Sequence, residues 1–230
     1  MRFLSLKILF MLFLSACTSD DVVKAQKEEL FWLLKKNVTS RYTSENAINS
    51  QSFIFPNTKE WLKKFNQPII LTSSVDKKNQ ATLVSLGNNK ERLTWVSSDG
   101  ISLSYDNGLL IATRGFSQDL LSLKYEKPNK LFTSENLQYN KTHRYLNGEN
   151  RYADFKFKCI GKKLAPQSIE IIEHTLLIDK YVETCINKRY RYTNEYELIS
   201  GTTVVVKSKQ WISPVNEYFL TYNLYAFQKF

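Results

Sequence analysis

From residue 69 onward, apolar and polar residues alternate in short runs, and most runs end in turn chemistry. The stretch 91–120 (ERLTWVSSDGISLSYDNGLLIATRGFSQDL) sets the grammar. Leu93 and Trp95, then Ile101, Leu103 and Tyr105, recur at every second position, the period of a strand with one buried face. Ser97-Ser98-Asp99-Gly100 and Asp106-Asn107-Gly108 read as turns, because Asn and Gly reach positive φ at little cost. Gly115 closes the next strand, LLIATR. The same pattern predicts strands at 69–75 and 81–86, with turns at 76–79 and 87–90. More follow at 120–125, 137–146 and 151–160, the last two joined by a turn at 147–150. A loop at 128–136 divides this series without resembling a domain linker. Two long apolar runs, 169–178 and 181–198, read as strands. Ser200-Gly201 turns the chain into 202–212, and an aromatic strand, 218–227, follows Pro214. Roughly ten or eleven strands at near-regular spacing of about 8–12 residues predict an all-β fold. Its form is a large antiparallel meander making a curved sheet, a sandwich or a half-barrel.

Ahead of residue 69 the period lengthens. Over 20–36, Val23, Leu30, Phe31 and Leu34 share one face of a helix, and Lys24, Lys27, Glu28 and Lys35 face water. Thr18-Ser19-Asp20-Asp21 suits its N-terminus and Lys35-Lys36 its C-terminus. This short N-terminal helix would pack on the sheet, space it from a membrane or meet a partner. Residues 37–51 form a polar loop and 52–55 a short strand. A turn or two of helix at 58–65 would turn Trp61, Leu62 and Phe65 inward.

The first residues change the picture most. MRFLSLKILFMLFLSAC places Arg2 and Lys7 around an apolar run too short to span a membrane as a helix. Small residues precede Cys17 in Leu14-Ser15-Ala16-Cys17, the layout of a bacterial lipobox. Residues 1–16 therefore read as a lipoprotein signal peptide, Cys17 as the lipidated residue, and 17–230 as one β-rich domain. Acyl chains on Cys17 would anchor the protein far more firmly than a single myristoyl group. By resemblance to enteric lipoproteins, in which an Asp after the lipidated Cys favours inner-membrane retention, Thr18 points to the outer membrane, facing the periplasm.

Composition supports a real core: 43% of the residues are hydrophobic, with 13 Tyr and 14 Phe favouring strands. The net charge is +10. It lies scattered through the strands, as on a solvated surface, and export disfavours nucleic acid as its partner. An acidic polysaccharide remains compatible.

Candidate chemistry is sparse. Cys159 and Cys185 are the cysteines left after lipidation, and an oxidising compartment would join them if geometry permits. The alternative is a pair of buried thiols. His143 and His174 have no metal-ligand spacing, so no metal site and no cofactor are expected. The acidic residues show no paired pattern for glycoside cleavage, and Glu170 and Glu173 fall on opposite faces of one predicted strand. Trp95 and Trp211, with Trp61, either stack on a glycan or a partner protein or pack a β-rich core.

Two segments carry a family resemblance. Residues 95–100 (WVSSDG) with 107–120 (NGLLIATRGFSQDL), and 207–211 (KSKQW) before a final aromatic strand, resemble the group 4 capsule lipoproteins of the GfcB/YjbF type. The chain departs from that pattern at Leu109, where an Arg is usual, and over 37–65. The resemblance implies an all-β lipoprotein of the outer membrane that accompanies capsule or exopolysaccharide production or export. It carries over no catalytic residues, so the expectation is a non-enzymatic accessory factor. Its partners would be polysaccharide export proteins, the membrane through its lipid anchor, and an acidic polysaccharide. Two other classes stay open: a lipid or lipoprotein carrier with an apolar half-barrel, and a glycan-modifying enzyme.

Overall fold

The computed structural model describes residues 59–75, 80–89, 92–126, 131–146 and 151–227. Cys17, the helix predicted over 20–36 and the strand predicted over 52–55 lie outside these residues. A short helix, α1 (Lys59–Leu62), leads in and buries Leu62. Trp61 and Phe65 beside it are half-buried, their rings in edge contact at 4.8 Å.

Thirteen strands follow: β1 (Ile69–Ser74), β2 (Gln80–Asn89), β3 (Arg92–Val96), β4 (Ser102–Asp106), β5 (Leu109–Arg114), β6 (Leu120–Tyr125), β7 (Asn136–Leu146), β8 (Tyr152–Lys163), β9 (Gln167–Ile171), β10 (His174–Ile186), β11 (Arg191–Ile199), β12 (Val205–Ser213) and β13 (Glu217–Tyr222). All pair antiparallel in one sheet, in the order β5-β4-β3-β2-β1-β13-β12-β11-β10-β8-β7-β6, with β9 on β10. Most neighbours in space are neighbours in sequence, as local hairpins favour. Strands β5 and β6 stand at opposite ends of that order yet follow one another in the chain. The sheet therefore curls until its ends meet, giving a nearly closed barrel. Closure hides edges that would otherwise offer unpaired backbone groups.

The long apolar runs divide differently from the prediction. Residues 169–178 hold the end of β9, a tight turn and the start of β10. The turn is Ile172-Glu173, both at positive φ (51° and 57°). Glu173 thus sits in a turn, not on a strand face. No Gly or Asn marks it, because tertiary pairing of β9 with β10 imposes it. Residues 181–198 likewise break between β10 and β11, where the Asn187 side chain accepts hydrogen bonds from the backbone N–H of Arg189 and Tyr190. Strands β8 and β9 run along the same edge of β10, interrupted at Leu164-Ala165-Pro166, where proline removes a ladder donor. Gly87, expected in a turn, continues β2 through a bulge.

Alternation then sorts the side chains. On β7, Leu137, Tyr139, Lys141, His143 and Tyr145 are buried while their neighbours in sequence are more exposed. Two interiors result. One gathers Ile70, Leu83, Trp95, Leu103, Tyr105, Leu110 and Ile212. The other is aromatic, centred on Tyr145, Phe157, Tyr181, Tyr192, Tyr196 and Trp211.

Candidate functional site

The residues of the two resembling segments close the barrel. Asn107 and Gly108, at φ 48° and 82°, make the tight β4–β5 turn. A Cβ on Gly108 would overlap Val205 of β12, so only glycine lets the turn lie there. Gln210 of β12 then reaches the same place. Its Nε2 donates to the Gly108 carbonyl (2.8 Å), and its Oε1 accepts from the Leu110 N–H (2.9 Å). Gln210 thus serves one backbone group of the β4–β5 turn and one of β5. At the seam itself, the Asp119 carboxylate accepts from the Thr113 hydroxyl (2.9 Å) and from the N–H of Gly115 and Phe116. The Thr113 oxygen accepts from the Leu120 N–H (2.9 Å), tying β5 to β6. Further along, the two strands diverge around an open cleft of about 840 Å³, bordered by Arg92, Asp106, Ile111, Lys124, Tyr125 and Phe132.

The aromatic interior holds a polar chain. Lys141 of β7 meets Glu183 of β10 at 2.7 Å, with side chains 1% and 0% exposed. Asn194 Nδ2 donates to the same carboxylate oxygen (2.8 Å), while its Oδ1 accepts the Trp211 N–H (2.8 Å), beyond the last β11–β12 pair at Glu195 and Lys209. Burial raises Glu183 to about 8, opposed by its bonds to Asn194 and Tyr196, and lowers Lys141 to about 7. His143 lies between Tyr145 (Nδ1, 2.9 Å) and Tyr192 (Nε2, 2.9 Å). Tyr145 spends its one proton on the Ile212 carbonyl (2.6 Å). Nδ1 of His143 must therefore donate and Nε2 accept from Tyr192. Burial, then the nearby Lys141, holds this imidazole well below the usual histidine range, which agrees with a neutral ring. Trp211 stacks on Tyr192 with ring centroids 4.5 Å apart. In the other interior the polar content is smaller: Tyr105, Thr221 and Thr72 share hydrogen bonds, and burial raises the Tyr105 phenol to about 12.

The residues singled out by sequence now have places. Cys159 and Cys185 face one another in register on β8 and β10 and form a disulfide. Glu183 lies beside it, and these three are the grouping of potential metal ligands among the described residues, with both sulfurs committed to each other. Trp95 and Trp211 are 2% and 8% exposed. They pack the two interiors, and neither presents a face to a glycan or a partner. His174 lies apart from His143, stacked on Phe227. Sequence reasoning missed Lys141 and Glu183. Each falls in phase with buried positions of its strand, and opposite charges in phase on two strands were the available signal.

Outside, the sheet shows two kinds of surface. Across β10, β11 and β12, Lys180 pairs with Glu195 (2.8 Å) and Lys207 with Glu197 (3.1 Å). Along β8, Lys156, Lys158 and Lys162 point outward and exposed, and among the described residues none has an ion-pair partner.

The sequence profile of group 4 capsule polysaccharide lipoproteins (GfcB, YjbF) matches residues 55–222. The chain belongs to this family. Its fold is shared with the hypothetical lipoprotein YmcC of Escherichia coli K12, at a TM-score of 0.63 and 15% identity, over 76% of this chain and 96% of that one. None of the curated proteins matches the chain. No helix among the described residues is long and apolar enough to cross a membrane.

Proposed function

We propose that this chain is a lipid-anchored, non-enzymatic accessory factor in the production or export of capsule or exopolysaccharide. Cys17 tethers it to the outer membrane, facing the periplasm, where it meets polysaccharide export proteins. The observation that carries this reading is membership of the capsule lipoprotein family across residues 55–222. The lipobox ending at Cys17 supports the anchor. The filled interior supports a rigid body over a lipid carrier, since Tyr145, Phe157, Tyr192 and Trp211 occupy the space that an acyl chain would need. The ionisable cluster supports a structural role over a catalytic one, because Lys141, His143 and Glu183 are each at most 3% exposed. Deleting the gene should lower surface polysaccharide, and restoring the intact chain should recover it. Cys17→Ser should release the protein from the membrane fraction and fail to restore output. Unchanged surface polysaccharide after deletion overturns the reading.

A further inference from the structure

The outer face of the β6–β7–β8 hairpins is built unlike its neighbour. Register sets its rows: Lys124 of β6 lies opposite Thr142 of β7, which lies opposite Lys156 of β8. Asn140 faces Lys158, Gln138 faces Ile160, and Asn136 faces Lys162. Outward positions on one strand repeat at about 7 Å, so β8 presents ammonium groups at Lys156, Lys158 and Lys162, with the exposed Ile160 between the last two. A parallel line of amides runs beside them on β7. Lys124 carries the same charge to the rim of the seam cleft. The carboxylates that bond side chains of this face are already engaged. Asp154 holds Arg144 through two hydrogen bonds (2.7 and 2.8 Å), and Glu126 accepts from Asn140 (2.9 Å). Arg144 in turn lies over the ring of Tyr152, which is 64% exposed.

Like charges in a row repel, and on the adjoining β10–β12 face this is resolved by Glu195 and Glu197. On β8 the outward carboxylate, Asp154, is bonded to Arg144 and reaches Lys156 and Lys124 only through space, which leaves Lys158 and Lys162 for an external acid. We propose that the β6–β7–β8 outer face binds an acidic polysaccharide laid along β8. Lys156, Lys158 and Lys162 meet its carboxylates, and Asn136, Gln138 and Asn140 meet its hydroxyls. The row of amides favours a hydroxyl-rich glycan over an anionic bilayer, because Tyr152 and Ile160 are separate exposed residues on this face and do not form the broad apolar side that a membrane interface takes up. The choice of a glycan over other polyanions rests on the reading of the chain as a surface-polysaccharide accessory.

The test uses the full-length chain in detergent with three probes: alginate, dextran, and vesicles of phosphatidylglycerol and phosphatidylcholine. Alginate should bind with a steep salt dependence, and dextran should not. The triple variant Lys156→Gln/Lys158→Gln/Lys162→Gln should weaken alginate binding by about tenfold or more and flatten the salt slope. A control, Lys59→Gln/Lys63→Gln/Lys64→Gln in and just after α1, removes equal charge elsewhere and should bind alginate like the wild type. Absent alginate binding, equal loss in the control, an unaffected triple variant, or capture of vesicles in place of alginate each overturns the inference. The deletion phenotype is read separately. Lowered surface polysaccharide without alginate binding sinks this inference and leaves the accessory reading standing.

Discussion

The two interiors solve the same problem with different chemistry. Around Trp95, apolar side chains of β1 to β5 and Ile212 of β12 meet with three hydroxyl-bearing residues as their shared polar content. Burial alone holds such a core, and any side chains of similar shape would serve. Around Trp211, the chain buries an ammonium, a carboxylate, an imidazole, two amides and several phenols. Each must find a partner or cost free energy, since an unpaired buried polar group loses its water for nothing. The first interior is tolerant. The second accepts one strand register, because a one-residue slip of β7 would turn Lys141 and His143 outward and leave Glu183 without its cation. The difference teaches that the polar interior specifies the barrel more than it stabilises it.

Breaking the ion pair should give the largest effect. Lys141→Met leaves Glu183 buried without its cation and should cost about 3–5 kcal/mol near neutral pH. The double variant Lys141→Met/Glu183→Leu removes both charges and should recover most of that loss. The single variant should also keep the pH dependence that Glu183 has in the intact chain, where burial raises it, and should deepen it because its cation is gone. Unfolded, Glu183 titrates near 4.5; folded, burial holds it near 8. Between these values the folded state keeps a proton that the unfolded chain gives up. The contribution is full below about 4.5 and is lost as pH rises through about 8, at up to about 1.4 kcal/mol per pH unit. Urea unfolding of both variants across this range checks the sign. A single variant with flat stability would show that the cavity, not the charge, sets the cost.

The disulfide should come next. Cys159 and Cys185 close a loop with a sequence separation of 26, and joining them removes about 3–4 kcal/mol of loop entropy from the unfolded chain in the simplest account. Both sulfurs lie in the aromatic interior. Replacing both cysteines by alanine should lower global stability and expose the amides of β7, β8, β10 and β11 to hydrogen exchange before those of β1 to β4. Equal loss of protection would mean that the two interiors open as one unit.

How far the sequence disclosed this division follows from what alternation can carry. Period-2 runs located β3 to β8 well, and Asn107-Gly108 and Gly100 marked their turns by backbone freedom. The turn at Ile172-Glu173 stayed hidden because no local residue prefers it; strand pairing alone forces both φ values positive. Trp95 and Trp211 were ambiguous for a related reason. An inward tryptophan and a sugar-stacking one look alike until the sheet curls, and curling depends on β1 finding β13 across nearly the whole described chain. The lysines of β8 were in plain view as residues, but that Asp154, their outward acidic neighbour, is held by Arg144 belongs to the register with β7.

The seam should show the smallest effect, and it bears on how the interiors are joined. Asp119 accepts from Thr113, Gly115 and Phe116 and so fixes the bend that brings β6 beside β5. Thr113 is 1% exposed, whereas Gly115 opens to solvent. Asp119→Ala therefore leaves one buried hydroxyl short of a partner while water replaces the acceptor at Gly115. The net loss should be about 1–2 kcal/mol. Asp119→Asn, which keeps one acceptor oxygen, should fall between that variant and the wild type. Melting monitored by tryptophan fluorescence reads both interiors together, since Trp95 and Trp211 lie one in each. A loss several times larger would make the latch, and not the buried ion pair, the feature on which the closed sheet depends.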